Sequence, residues 1–535
     1  MLRIHHHVDY SAIEPYILAK SGNAQALGVA DFQYDASAGR YFTPASLTNG
    51  ATVTAWTSRF TSGTVVPTSA FGPTFGQYGY SLPNFYYIGT NAQNPVVANV
   101  TCSIAVGTAK IFTGTVTQTT GNAATATLNV TSNTAATIGI GYLLTGGTVP
   151  TGTFIFKNVT GTATSSTSSW TITVPQGTTI PTNASSVTYT VTPITMTVSA
   201  VASGIVNVGG MMYKSSGGPT ANTFVVASKN ENSELTGAGS TGTYYVNISQ
   251  TYASTSAVTQ FMPFVGFNGG DAFRVPMNGG DRVLTGYTVL ISYKWGDITG
   301  HVSMMGSTHA NGGEMSWGRN LAVREYNVAG ATATGGNATA TGWHVMALRY
   351  DGTQSTNDTK FKAWVDGTLE TLTWTGTVGT STTAPASITN TVTAASASGT
   401  ALTLTYATTG SPAYAVGDSI TVAGLTPATT STSAAVNGTF TVTACTTTTV
   451  TYAVAGTYTR SSGGTVSGSP IPNLMVSGKG PIVSASSATN AKNTNPTTNS
   501  QEINIGELLV YSSPLSDASI SGVTTYLKNK WLGTN

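Results

Sequence analysis

Catalysis and ligand binding need reactive side chains that converge, and this chain offers few sets that could. Three histidines stand together at His5, His6 and His7. Adjacent residues on an extended segment point in opposite directions, so one chain cannot readily place all three on one metal ion. A symmetric oligomer could do so by bringing His5 or His7 of each copy to a common axis. The alternative is ordinary residues in an anchoring arm or a cloning remnant. Asp271 and Asp281 lie in Gly-rich turns, NGGDAF and NGGDRV. They carry the oxygen ligands that a hard cation such as calcium takes, although turn aspartates also serve backbone geometry alone.

Paired carboxylates are the signature of glycoside hydrolysis, and the nearest pairs here do not fit it. Glu502 and Glu507 are separated by an odd number of residues, which puts them on opposite faces of a regular strand. Glu231 and Glu234 share a turn, Asp366 and Glu370 share a hairpin, and His301, His309 and His344 are isolated. There is no GxSxG elbow, no HExxH and no phosphate-cradling GxxxxGK[ST]. The expectation is a protein without catalytic residues.

The elements that must carry these residues are strands. Phe440 and Val442, then Val450, Tyr452 and Val454, recur at the two-residue period of half-buried strands, with Thr on the intervening positions. Only 7% of the 535 residues are charged, against about 25% in an average soluble protein. The alternating apolar positions argue against disorder, and the length calls for several domains. A net charge of +2 gives no basic field for nucleic acid. No apolar run reaches the roughly 18 residues of a membrane span, and the amino terminus lacks the apolar core of a signal peptide. Cys102 and Cys445 are too few for a disulfide framework and read as small buried strand residues.

Charge is unevenly spread. From Val97 to Gln260 the charged residues are Lys110, Lys157, Lys214, Lys229, Glu231 and Glu234; from Pro385 to Pro470 they are Asp418 and Arg460. The charge-poor stretches share an order of strand, GxxLxxG, GTF and strand, first over Ala123 to Val174 and again over Gly399 to Val454. A third copy is expected from Met196 to Ser254. Such periodicity predicts small β-sandwich or barrel modules.

The stretch INIGELLVYSSPLSDASISGVTTYLKNKWLGTN, from Ile503, reads as a strand over Ile503 to Tyr511, a turn, and a helix begun by Ser516 and Asp517. Ile520, Val523, Leu527 and Trp531 form the apolar stripe of that helix. This order resembles the end of the concanavalin-like, laminin-G-type β-sandwich. Ala51 to Phe60 resembles the family's opening phrase. Asn94 to Val97, joined to Phe264 to Pro276, resembles another, as if an insertion split it; Phe361 to Gly367 resembles its hairpin, with Asp366 and Gly367 at the turn. The phrases GAGSTGTYYVNISQ, VGDSITVAG and NGTFTVT resemble ones in tail, fibre and head-decoration proteins of tailed bacteriophages.

Together these resemblances imply an all-β, multidomain chain: a concanavalin-like jelly-roll sandwich interrupted by small Ig-like β-sandwich or barrel modules, with a short C-terminal helix. The expected division is an anchoring segment over 1–40, sandwich pieces over 41–96, 261–384 and 471–535, and inserted modules over 97–190, 191–260 and 385–470. The family reading implies a sugar site in the loop HANGGEMSW, with His309, Asn311, Glu314 and Trp317. The implied role is a virion structural protein, bound to other virion proteins through its amino-terminal segment. It is expected to be a homo-oligomer, with a trimer favoured, and to meet host-surface polysaccharide. The alternatives are a dedicated carbohydrate-binding adhesin and a polysaccharide depolymerase.

Overall fold

The computed structural model describes most of residues 95–267, 342–378, 388–468 and 503–534, together with short strands elsewhere between 32 and 86, 273 and 334, and 473 and 476. The molecule is all-β and multidomain, with several sheets, two closed barrels and one short helix near the C-terminus.

A nine-stranded sheet draws its strands from three distant parts of the chain. Strand Ile503–Tyr511 lies inside it. On one side it pairs along its length with Gly286–Trp295. On the other it pairs with Phe264–Phe267 through Val265↔Ile505, and with Phe32–Asp35 through Phe32↔Val510. Beyond Gly286–Trp295 come Trp343–Asp351, Phe361–Val365 and Thr368–Leu369. Because Ile503–Tyr511 has partners on both edges and packing on both faces, all nine of its residues are buried. A central position of this kind buries both faces of a strand. Strand Phe32–Asp35 also takes the end of the expected 1–40 anchoring segment into this sheet.

The helix runs from Asp517 to Leu527, as its spacing predicts. The Ser516 side chain accepts from the Ser519 N–H at 3.1 Å, satisfying one of the donors that a helix start leaves open. A π-helical turn, Lys528–Leu532, continues it. Ile520, Val523, Leu527 and Trp531 are all buried, so the stripe packs as expected.

The two charge-poor stretches contain closed six-stranded barrels, one between Lys110 and Thr192 and one between Ile388 and Gly468. In strand Ala401–Tyr406, Leu402, Leu404 and Tyr406 point inward while Ala401, Thr403 and Thr405 are half-exposed. The barrels are filled: Leu128, Ile172, Tyr189 and Val191 are fully buried in the first, and Leu402, Leu404, Tyr452 and Val466 in the second.

The expected third copy, Met196 to Ser254, does not stand alone but shares a seven-stranded sheet with a strand that precedes the first barrel. Strand Val96–Val106 pairs with Ile194–Gly204 over nine positions, from Ile194↔Val106 to Gly204↔Ala98. These two strands lie within this sheet, which also holds Met211–Tyr213, Val225–Ala227, Gly242–Val246, Tyr252–Ala253 and Val258–Phe261, and whose two end strands are linked by a bridge from Met211 to Phe224. The first barrel is inserted between two neighbouring strands of this sheet. The modules expected side by side over 97–190 and 191–260 are thus nested, because the long strand at 96–106 has its hydrogen-bonding partner on the far side of the barrel.

Candidate functional site

Of the residues singled out in the sequence, His5, His7, Asp271, Asp281, His309 and Asn311 lie outside the described residues. Glu314 and Trp317 occupy strand Glu314–Gly318 in a second, seven-stranded sheet. There Glu314 is paired with Thr308, and Trp317 with Met305 and Val323. Among the described residues no group of three or more His, Cys, Asp and Glu could hold a metal ion, and no helix is long and apolar enough to cross a membrane.

Apart from the ion pairs of Arg349 and Lys362 with the exposed Asp517, three clusters of described polar side chains bring a carboxylate together with its donors. The first is built on the nine-stranded sheet and the helix that covers it. Glu507 is fully buried. Its Oε2 accepts from Lys530 Nζ at 3.0 Å and Trp531 Nε1 at 2.9 Å, and Tyr526 Oη donates to Oε1 at 3.2 Å. Lys530 is also buried, with its ammonium 5.3 Å from the Trp531 ring centre and 5.7 Å from that of Tyr526. A buried carboxylate is tolerated only when charge and lone pairs are both met, and here both are. The π turn makes this possible. In an α-helix a residue five positions on is rotated by about 140°, whereas i→i+5 winding brings it back into line. Trp531 can therefore join Tyr526 and Lys530 on one carboxylate.

The second cluster lies at the end of the same sheet. His344 Nδ1 is 2.7 Å from Asp366 Oδ2, and the Val345 N–H donates to Asp366 Oδ1 at 2.8 Å. Asp366 and Gly367 have φ of 50° and 90° and form a two-residue hairpin turn, with Val365 paired to Thr368. This is the type I′ geometry that an Asp-Gly pair favours. Burial alone would raise the Asp366 carboxyl, but the His344 bond, the Val345 N–H and the nearby Lys528 charge together hold it below its ordinary value. The sequence gives no sign that His344 has a carboxylate partner, because 22 residues separate the two. A His–Asp pair becomes nucleophilic machinery only with a hydroxyl or thiol in reach of the other ring nitrogen. His344 Nε2 is buried and has no hydrogen-bond partner among the described residues. The pair closes a turn.

The third cluster joins the first barrel to the sheet around it. Tyr142 Oη and Tyr245 Oη each donate to Glu234 Oε2 at 2.7 Å, and the two rings meet edge to face at 5.3 Å. Burial, with the Glu234 bond second, pushes Tyr142 up to about 12 and Tyr245 higher still.

No protein-family model matches the chain. No curated protein matches it either. In the first and third clusters the donors converge on one carboxylate, and all three clusters lie at a joint between elements. A lone acid in the apolar run INIGELLVY, with a lysine in YLKNKW, was the available signal for the first cluster, since a carboxylate inside a buried strand requires a buried donor set. No comparable local signal marks the other two.

Proposed function

We propose that this chain is a non-enzymatic structural protein of a bacteriophage particle. In this reading a concanavalin-like, laminin-G-type scaffold, interrupted by filled β modules, projects from the head or tail and meets the host surface. The observation that carries the reading is the assembly of one sheet from three distant chain segments, with closed, filled barrels set between them. Such an arrangement extends a rigid, low-charge body from a scaffold. Its buried polar groups serve its own joints. The resemblance of the inserted phrases to phage tail, fibre and decoration proteins gives that body its setting.

Attachment is assigned to the amino-terminal segment. Deleting residues 1–30, which spares strand Phe32–Asp35, is expected to abolish incorporation into particles while the purified protein keeps its melting profile. A truncated protein that still assembles rejects the assignment.

A glycan-binding role on the same scaffold is favoured by the resemblance of the closing strand and helix to a fold that commonly binds sugars. Trp317, on a strand of the second sheet, is the residue assigned to stack on a ring. A glycan array comparing wild type with Trp317→Ala tests this, and equal signals remove that site. Release of reducing ends from host polysaccharide would overturn the non-enzymatic reading.

A further inference from the structure

The insertion that begins near residue 95 leaves and re-enters the large sheet through neighbouring segments. The Met262 N–H donates to the Pro95 carbonyl at 3.0 Å. Two adjacent chain crossings define an axis about which an inserted module can swing, and relative motion is the default for domains joined in this way. A third contact lies off that pair. In the π turn, the Asn529 carbonyl accepts from Asn207 Nδ2 at 3.0 Å. Asn207 is itself fixed within the inserted sheet: its N–H donates to Gln260 Oε1 and its carbonyl accepts from Gln260 Nε2, both at 2.8 Å, and Gln260 is fully buried. Four residues beyond Asn529, Gly533 takes φ 64°, and its backbone lies so near Val97 that a Cβ would overlap the Val97 carbonyl. That carbonyl accepts from the Ile205 N–H at 2.8 Å.

Between these two contacts lie Lys530 and Trp531, which Glu507 holds, and Leu532. Trp531 stacks on Trp343 at 6.3 Å, and Trp343 meets Phe264, just past the re-entry point, at 5.8 Å. We propose that the C-terminal turn is a clasp: the buried Glu507 of the large sheet sets the position of residues 529–533, and these grip the inserted sheet at Asn207 and Val97 and so fix its orientation and that of the barrel nested within it. The carbonyl taken by Asn207 is one of those a helix end leaves open. The buried pair thus specifies geometry, the best-attested use of such groups. The clasp operates whether the protein stands on a particle or acts as a free adhesin.

The test is a distance distribution by pulsed electron resonance on the full chain. Spin labels are placed at Ala518→Cys on the helix and Thr151→Cys on the nested barrel, both exposed positions, in a Cys445→Ser background. Wild type is expected to give one narrow distribution. Asn207→Ala combined with Gly533→Ala, which leaves Glu507 and its donors in place, is expected to widen it by about twofold or more, as for modules joined by linkers alone. Hydrogen exchange of the barrel should stay unchanged. A double variant as narrow as wild type overturns the clasp. Trp531→Phe, which removes one donor from Glu507 and keeps an aromatic ring, is expected to widen the distribution by a smaller amount. Wild-type width in that variant overturns the role given to Glu507.

Discussion

The two inserted barrels are closed from six strands each, yet they meet their surroundings differently. The core of the second lies wholly between Val392 and Val466. That of the first runs on into the sheet around it, taking in Val226, Ala227, Leu235 and Tyr245, and the Tyr142–Glu234–Tyr245 hydrogen bonds sit at this seam. A barrel inserted between two strands that do not pair with each other, as the second is between Thr373–Thr375 and Asn473–Val476, can be self-sufficient. One nested inside another insertion shares its core, and the shared surface needs a polar fastening with a defined direction.

Tyr452→Ala gives the largest expected effect. Tyr452 is fully buried, stacks on Phe440 at 4.3 Å and donates to the Val436 carbonyl at 2.8 Å. Removing a core aromatic costs about 3–5 kcal/mol. Exchange protection should fall over 388–468 and stay intact over 110–192; loss in both would erase the contrast between the barrels. Next comes Glu234→Ala, which leaves two buried tyrosines without their acceptor at a cost of about 1–3 kcal/mol. Here calorimetry should show the first barrel and its surrounding sheet shifting together, with the second barrel unmoved.

Alkaline pH sharpens the same contrast. Buried phenols whose folded values lie above the ordinary 10.0 stabilise the fold fully below pH 10, and that stability is lost as pH rises through the folded values. Burial raises Tyr452 in the second barrel as well, with Tyr458 adding to it, so both barrels weaken above pH 10. Glu234→Gln should reduce this loss in the first barrel alone, because the carboxylate contributes to holding Tyr142 and Tyr245 protonated. Tyrosinate absorbance followed against pH reads it directly. The smallest effect belongs to Asp366→Ala in the large sheet, expected to cost about 1 kcal/mol and to leave both barrels unchanged. Since the Asp366 carboxyl is held below its ordinary 3.8, its contribution is present above that value and fades as pH falls through it and below. A stability curve of the variant that parallels wild type across this acid range would remove the role given to the His344 pair.

Local patterns were legible where neighbours in sequence are neighbours in space. The spacing of Ile520, Val523, Leu527 and Trp531, the Asp366–Gly367 turn and the alternation through Val450 and Tyr452 each predict the element that forms. What periodicity cannot name is a strand's partner. Val96–Val106 reads as a strand whether it opens a barrel or joins Ile194–Gly204 across one, and only the second brings its long apolar face to a core. The polar clusters were hidden for the same reason. Glu234 finds Tyr142 from 92 residues away, and Thr288 Oγ1 donates to the Ser513 carbonyl from 225 away. The all-buried character of Ile503–Tyr511 depends on flanking strands contributed from more than 200 residues upstream, Phe32–Asp35, Phe264–Phe267 and Gly286–Trp295.

That strand also imposes an order on biosynthesis. Both barrels leave the ribosome before Ile503–Tyr511 does, and their contacts are closed within themselves and the sheet beside them. The large sheet has to wait with Gly286–Trp295 and Phe264–Phe267 exposing edges that only the late strand can cover. Contacts of such wide sequence separation form slowly, and open edges invite pairing between chains. Yield in this protein is therefore expected to be governed by how fast the last strand docks, and premature termination upstream of it should give chains with sound barrels and an aggregating scaffold.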